Sequence, residues 1–267
     1  GKTEAALMPA LTDIYEHPVE SAGILYISPL KALINDQFWR IEEMLAGTGL
    51  RITRWHGDAP VSRKEKLLSC PGGSLQTTPE SLEAMLCLHR EHVRILFSQL
   101  QYIVIDEIHY FMGNQRGLQL LAVLERIQRI IQKEPVRLGL SATVGDTKDA
   151  LSWLDTGSSR TSAVIDYQEE QRQYLVSVTA TRIGRNDYPS SYGKKILTQS
   201  LGKRALLFTN SRRECEILVS QIRKLAIGAG YPDCYHIHHG SISRTLREDA
   251  EFQMKTAEGP VFTGTTL

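Results

Sequence analysis

The chain has 267 residues, 42% of them hydrophobic and 23% charged, and carries a formal net charge of +1. That length suits two domains and a core that needs no disulfide staples, which excludes a small disulfide scaffold, and no apolar run approaches the roughly 20 residues with which a helix spans a bilayer. Charge is unevenly shared: residues 1–167 hold 17 basic and 20 acidic side chains, and residues 168–267 hold 14 and 10. The second segment suits a phosphate-bearing partner, although a mixed solvated surface explains the same count. Cys70, Cys87, Cys215 and Cys234 lie far apart with no CxxC spacing, which reads as reduced thiols in a cytoplasmic protein.

In chain order, Gly23–Ser28 is a buried-strand pattern and Leu30–Ala46 a helix. Strands follow at Leu50–Trp55 and Ser74–Thr77, and Pro79-Glu80 suits the first turn of a helix reaching about Cys87. Tyr102–Asp106 is a very apolar strand, Leu118–Gln132 an amphipathic helix, and Val136–Leu140 a further strand. Strands alternating with helices imply parallel pairing by right-handed crossovers, hence a three-layer α/β domain. A polar stretch after Asp155 places a boundary near 167–172, dividing the chain into domains 1–167 and 168–267. The second domain is expected to hold a strand at Tyr174–Thr179, a helix at Tyr192–Leu201, and a strand at Ala205–Thr209. A helix at Arg213–Ala226 and strands at Tyr235–His238 and Pro260–Thr263 complete it.

Three short segments carry chemistry. Gly1-Lys2-Thr3 matches the last three positions of a phosphate-binding loop. In such a loop helix N-terminal amides cradle phosphate, the lysine reaches the β- and γ-phosphates, and the hydroxyl ligates Mg²⁺. Asp106-Glu107-Ile108-His109 ends an apolar strand, where open α/β sheets place their ligands. There Asp106 suits Mg²⁺ and Glu107 suits activation of a water, although a D-E pair can also simply open a solvated helix. Ser141-Ala142-Thr143 follows the next strand, as ordinary turn chemistry or as a coupling element.

Taken together and in order, the motifs resemble those of the superfamily 2 DExH helicases, and within them the large-helicase-related (Lhr) group. The segments are Gly1–Ala6, Ser28–Asp36, His56-Gly57-Asp58, Thr77–Leu82, Asp106–His109, Gly139–Thr143, Thr209–Arg212, His238–Ser241 and Thr265-Thr266-Leu267. The resemblance implies two RecA-like parallel-sheet domains, the second incomplete, and an ATP- and Mg²⁺-dependent motor. It implies Lys2, Asp106 and Glu107 as catalytic residues. The nucleotide set would be Gly1, Lys2, Thr3, Asp106, Glu107, His109, Ser141 and Thr143, with Thr3 and Asp106 on Mg²⁺. It also implies a single-strand track over Ser28, Pro29, Lys31, Thr77, Thr78, Pro79 and Glu80 in the first domain. In the second, the track would run over Asn210, Ser211, Arg212, His239, Gly240, Thr265 and Thr266.

The expected partner is single-stranded nucleic acid or a duplex with a single-stranded tail, DNA before RNA or a hybrid. An RNA-remodelling DExH helicase and a nucleic-acid-binding module without ATP turnover are the alternatives. By the same resemblance, loop glycines precede Gly1 and an arginine motif follows Leu267, so the chain is expected to be part of a longer protein and inactive alone. The strand leading into Gly1 is expected beside the strand ending in Asp106, its absence leaving a gap in the sheet. Finally, Cys234, His236, His238 and His239 crowd one strand. Residues 234, 236 and 238 share a face, and neighbours on one strand do not close a tetrahedral metal site without a distant ligand. They are read as strand and track residues.

Overall fold

The segment Ala22–Ile27 (β1) is apolar at every position and buried at every position, which requires a strand with neighbours on both edges and cover on both faces. A computed structural model, describing residues 2–57, 59–141, 146–165, 175–180 and 190–266, supplies both. The chain divides into two compact units, Gly1–Glu169 and Glu170–Leu267.

In the first unit, Lys2–Glu16 forms α1, Lys31–Met44 α2, Ile52–Trp55 β2, Val61–Ser69 α3, Gly73–Thr77 β3 and Pro79–Leu88 α4. Then come α5 (Arg90–Leu96), β4 (Tyr102–Ile105), α6 (Gln115–Ile131), β5 (Val136–Gly139) and α7 (Thr147–Asp155). The sheet order is β2-β3-β1-β4-β5, and every pairing is parallel. Alternation along β1 and β4 sends Leu25, Ile27, Ile103 and Ile105 to one face, against α4, α5 and α6. Ile24, Tyr26 and Val104 face the other way, against α1 and α2.

No gap interrupts this sheet. β4 pairs with β1 on one side and β5 on the other, so the expected vacancy beside the Asp106 strand is corrected: both its edges are already hydrogen-bonded.

The second unit holds α8 (Ser190–Ser200), β6 (Arg204–Thr209), α9 (Arg212–Gly228), β7 (Tyr235–His238), α10 (Arg244–Thr256) and β8 (Val261–Thr266). Its sheet order is β6-β8-β7, again parallel. The core lies under α8 and α9, where Cys215, Leu218, Val219 and Ile222 meet Phe262. Gly264 permits that approach, since a Cβ there would lie 2.3 Å from Val219 Cγ2. The expected strand at Tyr174–Thr179 is not formed. Tyr174 lies outside the described residues, and residues 175–180 belong to no helix or strand, with Leu175, Val176 and Val178 exposed. Alternation of apolar residues marks a strand only when a partner edge exists.

Helices α3, α5, α7 and α10 were not anticipated from the sequence, and each buries few apolar residues. Leu67 serves α3, Val93 and Leu96 serve α5, and Ala150 and Ala250 serve α7 and α10. Their ends are set by local bonds instead: Asp146 accepts from Lys148 N, and Ser243 from Leu246 N.

The end of the first unit is fastened by one carboxylate. Glu134 accepts from Ser158 Oγ at 2.5 Å, Ser159 N at 2.7 Å and Ser159 Oγ at 2.6 Å, while its carbonyl receives Arg160 Nε at 2.9 Å. These donors hold the Glu134 carboxyl at about 2, below its ordinary 4.5. A depressed carboxylate stabilises the fold above its unfolded value and loses that contribution as pH falls toward the folded one. Glu134→Gln should therefore loosen residues 158–160 at neutral pH, seen as faster amide exchange, by no more than about 1 kcal/mol for so exposed a group. The difference from wild type should shrink between pH 4.5 and about 2.

Candidate functional site

At the carboxyl ends of β1, β3 and β4 the backbone ladder continues one step beyond the strands, with Ser28 N on Thr77 O at 3.0 Å and Asp106 N on Ile27 O at 2.8 Å. The residues that follow are thereby fixed at one edge of the sheet. Asp106 is buried, 8% exposed, and burial pushes its carboxyl above the ordinary range. Three groups oppose that shift: Tyr26 Oη donates to Asp106 Oδ2 at 2.5 Å, Glu107 N donates to Oδ1 at 3.0 Å, and the Lys2 ammonium adds attraction. Burial, followed by the Asp106 charge, pushes the Tyr26 phenol upward, and a hydrogen bond with Thr3 acts in the opposite direction. Lys2, Thr3, Tyr26 and Asp106 thus form one connected group, built by the start of α1 and the ends of β1 and β4.

Glu107 adopts φ 51° and ψ 52°, the left-handed region, and caps the 3-10 turn Ile108–Tyr110. A non-glycine residue held there stores strain, which functional sites commonly carry. Neighbouring bonds enforce the turn: Ile108 N donates to Leu140 O at 2.8 Å and Leu140 N to Ile105 O at 2.9 Å. His109 Nδ1 lies 2.9 Å from Ser141 Oγ and 3.3 Å from Glu107 Oε2. The end of β5 is therefore tied to the acidic turn through an imidazole. Gly1 and Thr143 lie outside the described residues.

The track residues of the first unit divide by exposure. Thr77 is fully buried and its Oγ1 donates to Trp55 O at 2.7 Å. Thr78 caps α4, accepting from Ser81 N at 3.4 Å, and Pro79 is buried as the first residue of that helix. These side chains hold the loop and do not present themselves to a ligand. The carboxylate of Glu80 is clamped by Arg116, from Nε at 2.5 Å and from Nη2 at 3.0 Å, and these bonds and charges keep its carboxyl below the ordinary range against the opposing effect of burial. Ser28 Oγ is buried without a hydrogen-bond partner among the described residues. Leu30 precedes α2 with no side-chain cap, so first-turn amides remain for a ligand or water. Lys31 opens that helix, its Nζ close to Gly57.

In the second unit, strand register sets Thr209 level with Thr266, and His238 level with Thr265. Ser211 caps α9 by accepting from Glu214 N at 3.2 Å, and Asn210 N reaches Glu214 Oε2 at 3.3 Å. Arg212 Nη1 donates to Ser241 Oγ at 2.6 Å, past Gly240. His239 is buried, accepting from Ser241 N at 3.3 Å on Nδ1 with Nε2 3.1 Å from Glu216. His236 faces Asp249 and His238 faces Glu251, so the three imidazoles look toward different carboxylates.

Tyr26 and Arg116 are the residues that the motif reading passed over. A phenol inside an aliphatic buried strand needs a partner for its hydroxyl, and that was the available signal for Tyr26. Arg116 had none, because its partners are remote in sequence.

With this geometry in place, a profile of the DEAD/DEAH box helicases matches residues 1–151. An ATP-dependent helicase Lhr-Core of Methanocaldococcus jannaschii is 28% identical over 97% of the chain and 32% of its own length. An Lhr helicase/uracil glycosylase of Escherichia coli is 28% identical over 97% of the chain and 21% of its own. The chain thus spans about a third or less of the length of these relatives. A solved structure of Mycobacterium smegmatis helicase Lhr bound to ssDNA and AMP-PNP superposes with a TM-score of 0.82 at 27% identity, covering 99% of this chain and 36% of that one. Among the described residues no helix is long and apolar enough to cross a membrane.

Tyr26→Phe should remove the donor to Asp106 while keeping the packing. Loss of a hydrogen bond to a charged group costs about 1.5–3 kcal/mol. A carboxylate raised above its unfolded value loses stability as pH rises through the raised value, so the deficit should be larger at pH 8 than at pH 4. Thermal unfolding at both pH values measures it.

Proposed function

The chain belongs to the DEAD/DEAH box helicase family, and from that premise we propose that it forms the motor core of an Lhr-like helicase moving along single-stranded nucleic acid, DNA by preference, as ATP is hydrolysed. The observation that carries this reading is the connected group Lys2–Thr3–Tyr26–Asp106 beside the strained Glu107. Domain 1–167 would be the ATP-binding domain and domain 168–267 the second helicase domain. The ssDNA and AMP-PNP bound to the mycobacterial relative support the choice of DNA and of a nucleotide.

The residues fit Mg²⁺ as well as ATP. Asp106 is a buried carboxylate whose charge the protein under-compensates, as its upward shift shows, and Thr3 joins it through Tyr26. Thr3 and Asp106 would hold the cation, which when bound neutralises charge on the transferring phosphoryl group. Lys2, with Gly1 and the start of α1, would hold the phosphates. Glu107 would take the proton from the attacking water. His109 would carry the state of that carboxylate to Ser141 and onward to Thr143, coupling hydrolysis to the second domain. The strand would run over Ser28, Pro29, Lys31 and the start of α4 in the first unit, and over Asn210, Arg212, Gly240, Thr265 and Thr266 in the second. Bonds to phosphate oxygens from amides and hydroxyls read no bases, as a motor requires.

The test is ATP turnover by the full-length protein with and without single-stranded DNA, single-stranded RNA and a hybrid duplex. Stimulation by DNA above RNA supports the reading, stimulation by RNA alone favours RNA remodelling, and strand binding without turnover leaves a binding module. In the same assay Glu107→Gln should keep nucleotide affinity and lower turnover by about 10²–10⁴-fold. Near-normal turnover would remove Glu107 from the role of base.

A further inference from the structure

Arg116 stands at the start of α6, a few residues beyond the acidic turn, and touches both loops of the first-unit track. Nε donates to Glu80 Oε1 at 2.5 Å and Nη2 to Glu80 Oε2 at 3.0 Å, the paired geometry of a guanidinium on a carboxylate. Nη2 also donates to Pro29 O at 2.7 Å. Pro29 precedes the uncapped start of α2, and Glu80 sits in the first turn of α4. One side chain therefore joins the two helix N-termini that face the track.

Its own position is tied to the nucleotide side. Asn114 caps α6, accepting from Gly117 N at 3.0 Å, and donates from Nδ2 to Tyr110 O at 2.8 Å, the last residue of the turn that Glu107 opens. Phe111 lies beneath the guanidinium, its ring centroid 5.5 Å from Cζ. Gly117 lets the turn and the helix close on each other, since a Cβ there would fall 1.8 Å from Phe111 O. Hydrogen bonds thus run from Glu107 O to Tyr110 N and from Tyr110 O to Asn114, the cap of the helix that carries Arg116 in its first turn, and Arg116 in turn bonds Pro29 and Glu80.

We propose that Arg116 is a positioning residue that couples strand binding to ATP hydrolysis. It sets the spacing of the α2 and α4 N-termini to that of successive phosphates, and it links that spacing to the conformation of the Glu107 turn. The inference rests on the functional reading above and adds a residue that no motif assigns.

The test uses the full-length protein and two variants, Arg116→Lys and Glu80→Gln. Lysine keeps the charge but cannot make the paired bonds and reach Pro29 O together. Turnover is measured without nucleic acid and against increasing single-stranded DNA, with strand affinity measured separately by fluorescence anisotropy and folding by thermal unfolding. For Arg116→Lys the expected result is basal turnover and KM for ATP within about twofold of wild type, and a DNA concentration for half-maximal stimulation raised about tenfold, the scale of one charge-assisted hydrogen bond. Glu80→Gln should shift the same quantity in the same direction. Unchanged DNA dependence in a folded Arg116→Lys protein overturns the proposal. So does an equal fall in basal and stimulated turnover, which would make Arg116 merely structural. Wild-type protein that neither hydrolyses ATP nor binds the strand overturns the functional reading and this inference with it. Stimulated wild-type turnover with an indifferent variant overturns the inference alone.

Discussion

A carboxylate kept out of water at the end of β4 is the constraint on which the first unit is built. Burying an ionised group is costly unless donors and opposite charges surround it, and Asp106 receives the Tyr26 hydroxyl, the Glu107 amide and the field of Lys2. Each of these dictates something larger. Tyr26 reaches Asp106 only because β1 lies directly beside β4. A strand so placed, with all six residues buried, demands helices on both faces. The layered architecture and the polar group at its edge are consequences of one another.

The compensation is incomplete, and that is where stability and function part. Asp106 remains shifted upward, and Glu107 beside it is held in the left-handed region. A fold optimised for stability alone would satisfy the carboxylate fully and place glycine or asparagine at position 107. What remains is a buried carboxylate beside a strained acidic neighbour, the arrangement on which the proposed cation and nucleotide site rests.

The polar residues at the strand ends also divide their labour. Thr77 and Thr78 spend their hydroxyls inside the protein, on Trp55 O and on the start of α4, and buried His239 spends its Nδ1 on the Ser241 amide. In the proposed reading, the donors to phosphate are left to helix starts and to side chains such as Lys31. A hydroxyl in a recognisable motif is as often the support of a loop as its contact surface.

The strands β1 and β4 were legible in the chain because consecutive apolar residues bury on two faces wherever a parallel sheet forms. β6 carries the same apolar run, but as an edge strand it leaves Leu206 and Phe208 exposed. The acidic turn and the Gly1-Lys2-Thr3 segment were legible because such motifs are written in residues adjacent in sequence. Helices α7 and α10 were passed over although their apolar residues recur at helical spacing, and each buries little of that face. The segment around Val176 shows the converse, since its alternation marks a strand only if an edge is available to pair with it. Tyr26 with Asp106, Arg116 with Glu80 and Pro29, and His109 with Ser141 were decided only by the fold. Their partners lie dozens of residues apart, and the strand order β2-β3-β1-β4-β5 that brings them together arises from how whole strands and helices pack, which no local run of residues encodes.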